Sequence, residues 1–222
     1  GFVGEGTVRG LSTGTATTMT AGPLVFSGDL HGKIGIIPAA ATVTGEDGGY
    51  FCVGSANALA DASVEIGGDA AYTNVLRFAP GVETYYVKSL TSTRPEAPVI
   101  LEDTNGAPVR VSVGFPTTLS TAYFAGCGDL VKTGANAYQL TGNNFAATGA
   151  LSVEQGLVSA GTGTAGGDAT GLAGASGLEV RSGTTFVMQN AADTVWGEGL
   201  KVSGDGAIQL AGPGSWSIGD FS

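Results

Sequence analysis

Basic residues are scarce in this sequence. Nine Lys and Arg stand against 19 Asp and Glu, a net charge of −10 over 222 residues. A nucleic-acid binder needs a basic face to displace counterions from phosphates, and an anionic bilayer repels such a chain. Neither nucleic acid nor membrane insertion is expected; the acidity reads first as a device for solubility. Histidine is scarcer still. His31 is the only one, in the turn-like stretch Gly28-Asp29-Leu30-His31-Gly32, so any His-dependent nucleophile would have to use it. Cysteine is limited to Cys52 and Cys127, 75 residues apart, too few for a transition-metal site of usual composition. The acidic pairs Glu46-Asp47 and Glu102-Asp103 are too small for a calcium loop. No metal, cofactor or catalytic residue is expected. No run of about 18 apolar residues occurs, so no transmembrane helix is encoded. The chain opens on Gly1-Phe2-Val3 with neither Met nor a charged leader, as after removal of a signal segment or in a fragment.

Helical periodicity is also missing. Only residues 55–62, Ser-Ala-Asn-Ala-Leu-Ala-Asp-Ala, could support two turns. What is present in quantity is glycine, 39 residues, more than twice the usual share of about 7%. It carries no Gly-x-y period, which excludes collagen. A hydrophobic fraction of 42% excludes a disordered chain. The remaining solution is many short strands joined by tight turns. Candidate strands of four to six residues run over 33–37, 62–66, 73–78, 83–87, 98–101 and 109–113, each stopped by Gly, Pro or an Asn-Gly turn.

Four segments repeat a short pattern 21 to 27 residues apart, beginning at Leu130, Leu151, Leu178 and Leu200. Three read Leu-x-Val, ending on Val153, Val180 and Val202; the first, Leu130-Val131-Lys132, loses the Val. In three of the four, a second apolar pair follows eight and ten residues after the Leu: Tyr138 and Leu140, Phe186 and Met188, Ile208 and Leu210. In a strand, residues i and i+2 share a face. Leu and Val therefore point inward, while Ser152, Glu179 and Lys201 point to water. A period this short suits one coil of a β-solenoid, where one coil cannot bury its apolar face without neighbours. The coil from Leu151 departs, with Ser159 and Gly161 at the later positions and Leu157 at six; either its turn is two residues shorter or its second strand is poorly buried. The Gly-rich run 161–177 reads as a loop extruded from one coil. In a continuous solenoid, Cys52 and Cys127 stand about three coils, or about 14 Å, apart, beyond disulfide reach.

The stretch 128–160 resembles the autotransporter-associated β-strand repeat. Lys132-Thr133-Gly134 match the start of that repeat, Leu140-Thr141-Gly142-Asn143 its middle, and Val153 and Gly156 its end; Phe145 stands where Tyr is usual. Residues 57–66 and 86–90 look like companion elements of the same family, and residues 1–45 show no match. The resemblance implies a right-handed parallel β-helix in an extracellular or bacterial cell-surface protein, and carries no catalytic residues.

The expected fold is thus all-β: a right-handed parallel β-helix over 46–222 with residues 1–45 as an N-terminal β segment or cap. The alternative is an N-terminal β-sandwich followed by a short solenoid. The expected role is a non-catalytic surface fibre or filament subunit. Trp216, Ile218 and Phe221 stay apolar near the C-terminus and form a candidate surface for joining copies of the chain, unless Trp216 folds over the coil beneath it. Two alternatives are an adhesin-like module that holds glycans, or a host or neighbouring-cell surface, and a polysaccharide-degrading enzyme with clustered acids.

Overall fold

A computed structural model describes residues 24–26, 31–36, 51–66, 76–92, 95, 98–115 and 119–221; for 24–26, 31–36, 51, 119–120, 196–199 and 218–221 it describes the backbone path alone. Apart from one short 3-10 turn, Gly171–Gly174, the regular structure is all β. Residues 55–62, the one helical candidate, make a turn that leads into β4 (Leu59–Ile66). Leu59, Ala62, Val64 and Ile66 of that strand are buried, so tertiary burial outweighs a weak local propensity.

The chain winds as a parallel β-solenoid. One side is a nine-stranded sheet of β2 (His31–Ile36), β4, β6 (Thr84–Ser92), β8 (Arg110–Val113), β11 (Asp129–Lys132), β13 (Ala150–Val153), β15 (Gly177–Val180), β17 (Thr194–Ser203) and β19 (Trp216–Phe221), stacked in chain order. A second side stacks β9 (Leu119–Ser120), β12 (Ala137–Leu140), β14 (Leu157–Ala160), β16 (Thr185–Met188) and β18 (Ala207–Leu210). Short parallel pairings form further ladders: β1 (Leu24–Phe26), β3 (Phe51–Val53) and β5 (Leu76–Phe78) in one, β7 (Val99–Ile100) and β10 (Phe124–Ala125) in another. His31 opens β2 in register with Asp61, so its backbone is strand and not turn. The described parts of residues 1–45 are β1 and β2. They pair in parallel with β3 and β4; residues 37–50, which hold the boundary expected at 45/46, lie outside the described residues. A sandwich would need antiparallel partners there. Asp29, Glu46 and Asp47 lie outside the described residues.

Like side chains pile up inside. Tyr85, Val111, Leu130, Leu151, Leu178 and Val202 occupy successive positions of one column. Leu130, Leu151, Leu178 and Leu200 are each 0% exposed, and Val153, Val180 and Val202 are equally interior. The superposition expected of the four leucines nevertheless fails once: Leu178 lies beside Val202, not Leu200. Strand faces repeat every two residues, so a two-residue slip keeps Leu200 and Val202 inward, and the apolar pattern cannot detect it. The place over Val180 falls to Gly204, whose φ is +108° and whose Cβ, were there one, would lie 2.1 Å from the Val180 carbonyl oxygen.

On the second side Tyr138, Val158, Phe186 and Ile208 form one column, and Leu140, Ala160, Met188 and Leu210 the next. The coil from Leu151 enters this sheet with Val158 and Ala160. Its turn, residues 154–156, is one residue shorter than the equivalent 133–136, not two. Phe115 stacks on Tyr138 with ring centroids 4.6 Å apart, and Phe124 meets the same ring edge-on at 5.9 Å. The phenol of Tyr138 donates to the Ala122 carbonyl at 3.0 Å, which satisfies its one buried polar atom.

The Gly-rich run 161–177 is only partly extruded. Residues 162–166 are exposed, but Ala169, Leu172 and Ala175 are buried, and the 3-10 turn lies against β17. Ala169 bridges in parallel to Gly142, so the insertion closes a side of its own coil. Asn190 fixes it. Its Oδ1 accepts from the Ala169 N–H at 2.8 Å, and its Nδ2 donates to the Ala169 carbonyl at 3.2 Å.

Candidate functional site

Side chains that tie one coil to the next are the first notable set. Glu102 Oε1 accepts from the Cys127 N–H at 2.9 Å, and Asp129 Oδ1 from the Ala150 N–H at 2.9 Å. Asp168 accepts from the N–H groups of Ala191 and Ala192, and Asp193 Oδ1 from the Ser215 N–H at 2.9 Å. Donor and acceptor are 21 to 25 residues apart, one coil. The Ser215 N–H holds the Asp193 carboxyl below its ordinary pKa. Part of the acidity read from composition as a solubility device therefore closes turns between coils. The Glu102-Asp103 pair divides this labour: Asp103 Oδ1 caps its own turn by accepting from the N–H groups of Asn105 and Ala107 at 2.8 and 2.9 Å.

Lys132 is the residue the sequence pattern passed over. It occupies the column of Val113, Val153 and Val180 and is 0% exposed. Its ammonium donates to the carbonyls of Thr133 at 2.9 Å, Gly134 at 2.5 Å and Gln155 at 2.7 Å. Three N–H bonds meet three carbonyls, two from its own turn and one from the next coil. Gln155 Oε1 returns a bond from the Gly134 N–H at 3.0 Å. None of the described carboxylates pairs with it, and burial lowers its pKa from 10.5 to about 8. The signal was legible in Leu130-Val131-Lys132-Thr133-Gly134: a lysine at a core register position followed at once by a turn whose Gly134 has φ +73°.

The end of the stack is the second notable region. All four residues of β18 are exposed, with Leu210 at 67% and Ile208 at 36%, although their column partners Phe186 and Met188 are 0% exposed. No other described strand pairs with β18 on its far side. Trp216, a candidate for the assembly surface unless it folds over the coil beneath it, lies against the core, partly buried, as β19 pairs with β17. Ile218 and Phe221 align with Trp196 and Val202 in that pairing; their side chains lie outside the description. Among the described residues, Ile208 and Leu210 of β18 are exposed although the apolar pattern points them inward, and Val195 of β17 is exposed as well.

The thiols of Cys52, buried, and Cys127, exposed, are both free. Burial raises the pKa of Cys52, and desolvation together with the Glu102 carboxylate raises that of Cys127. Among the described residues no group of three or more His, Cys, Asp or Glu side chains could hold a metal ion, and no helix is long and apolar enough to cross a membrane. The side chain of His31 is outside the described residues. No protein-family model, curated protein or solved structure matches the chain.

Proposed function

We propose that this chain is a structural subunit, a length of β-solenoid that joins end to end with copies of itself into an extracellular or bacterial cell-surface fibre. One observation carries the reading: two core columns run out of the stack into solvent at Ile208 and Leu210, on a strand whose outer backbone edge has no partner among the described residues. An open strand edge recruits another strand. A second copy that adds one parallel strand over β18 would bury both side chains, and each buried large aliphatic contributes about 1.5–3 kcal/mol. The resemblance of 128–160 to the autotransporter-associated β-strand repeat supports a surface location. The role needs no cofactor and no catalytic residue, and the acids used between coils are committed to backbone N–H groups.

Negative-stain electron microscopy and sedimentation velocity of the purified 222-residue chain test this. Rods that lengthen with protein concentration, and that fall back to single rods in Ile208→Ser/Leu210→Ser, are the expected result. Single short rods at every concentration for the unsubstituted chain overturn it.

A further inference from the structure

The long sheet carries an irregularity between β4 and β6. Leu59 pairs with Val87 and Ser63 with Ser89, so Ala60, Asp61 and Ala62 together oppose the single residue Lys88. A bulge of this kind breaks the regular pleat and re-aims the side chains beside it. Here it accompanies a groove of about 380 Å³ bordered by Asn57, Tyr86, Lys88, Ser112 and Thr133.

Tyr86 is the centre of this groove. Its neighbour Tyr85 is fully buried, with its phenol bonded to the Ala79 carbonyl and its pKa raised to about 12 by burial. Tyr86 faces the other way and is 46% exposed. In register beside it is Ser112. Lys88, two residues further along the same strand, shares the face of Tyr86. It is exposed and makes no ion pair among the described residues.

The groove combines a half-exposed aromatic ring, a ring of neutral hydrogen-bonding side chains and one uncommitted cation. An aromatic ring with a polar rim suits a flat ligand that has an apolar face and many hydroxyls. Asn57, Ser112 and Thr133 supply both donors and acceptors. The lone ammonium selects a ligand with one acid group at that end. A nucleic acid needs several cations in a row, and the chain's net charge of −10 opposes it. An extended peptide needs a free strand edge, and β4 and β6 both have partners on either side.

We infer that this groove is a binding subsite for an acidic saccharide, one sugar ring lying on Tyr86 and its carboxylate pairing with Lys88. The hydroxyls of the ring meet Asn57, Ser112 and Thr133. The subsite lies on the flank of the coil, so it stays open when copies join end to end.

Isothermal titration of the full chain with uronic-acid oligosaccharides tests this, using oligogalacturonate, oligoalginate and hyaluronan fragments, with neutral maltohexaose as the comparison. The expected result is that at least one acidic probe binds and maltohexaose binds at least tenfold more weakly. Tyr86→Ala should weaken the acidic probe at least tenfold while Tyr86→Phe retains it, and Lys88→Gln should abolish the preference for the acidic probe. Circular dichroism identical to the parent chain, expected for these exposed positions, confirms that each variant is folded. Failure of every acidic probe to bind at millimolar concentration overturns the inference, as does binding that survives both Tyr86→Ala and Lys88→Gln. Rod lengthening should be the same in Tyr86→Ala, so this result and the assembly result can fail independently.

Discussion

Two stretches of the second sheet carry the same kind of side chain and meet opposite fates. In β16, Phe186 and Met188 are covered on one side by β14 and on the other by β18, and are fully buried. In β18, Ile208 and Leu210 continue the same columns and stand in solvent. Nothing in the local pattern separates the two strands. Burial in a solenoid is supplied by the next coil and not by the coil's own turn of chain, so stability approximates a sum over neighbouring interfaces. An apolar pair with one neighbour contributes to one interface, and a pair with two contributes to both.

The largest effect should therefore come from a column residue covered on both sides. Leu151 lies between Leu130 and Leu178 and is 0% exposed. Leu151→Ala removes apolar contact with two coils and leaves a cavity that fixed backbone on either side cannot collapse. The expected loss is about 2–5 kcal/mol, read from the midpoint of chemical denaturation at unchanged slope. A loss under about 1 kcal/mol would mean that the coils at 130, 151 and 178 do not share a rigid core.

Inside the middle of the stack a second contrast can be sharpened, that between Lys132 and the valines above and below it. The lysine gives up apolar burial for three carbonyl bonds, and its folded pKa of about 8 lies below the ordinary 10.5. Between those values the unfolded chain holds the proton and the folded chain releases it. The folded state is thus favoured progressively as pH rises from about 8 to about 10.5. Below that window both states are protonated and the burial penalty is constant. Lys132→Met keeps the volume and lacks the titration. Stability of the parent chain relative to Lys132→Met should increase by about 1–3 kcal/mol across the window, measured by denaturation at a series of pH values. A flat difference would mean that the amine keeps its proton in the fold, held by the carbonyls strongly enough to cancel its desolvation.

How far the sequence disclosed this architecture follows from the same physics. Strand existence and the inward face were legible, because alternation in Leu178-Glu179-Val180 reports which side chains avoid water; Ser152, expected to face water, is instead buried and donates to Glu179 Oε2 at 3.0 Å. Register was not. Leu200 and Val202 satisfy the inward rule equally, yet Val202 is the one beside Leu178, and β17 carries an irregularity between Trp196 and Lys201 against β19. Insertion geometry was also hidden. The run 161–177 looks featureless, yet Ala169 and Leu172 are core because Asn190, on the following coil, pins the backbone. Trp216 lies against the core as β19 pairs with β17, whereas among the described residues no strand pairs with β18 beyond Ile208 and Leu210.

The smallest effect tests the comparison from its other side. Leu210 is 67% exposed in the single chain, so the folded monomer gains little from its side chain. Leu210→Ser should change the stability of dilute, unassociated protein by no more than about 0.5 kcal/mol, at least about fourfold below the Leu151→Ala loss. Its cost should appear only at concentrations where rods lengthen, because there the substituted side chain meets a second copy. If Leu210→Ser destabilised the dilute monomer as much as a covered column residue does, the last coil would already be covered in solution. The open end, and the assembly drawn from it, would then have to be abandoned while the solenoid itself stood.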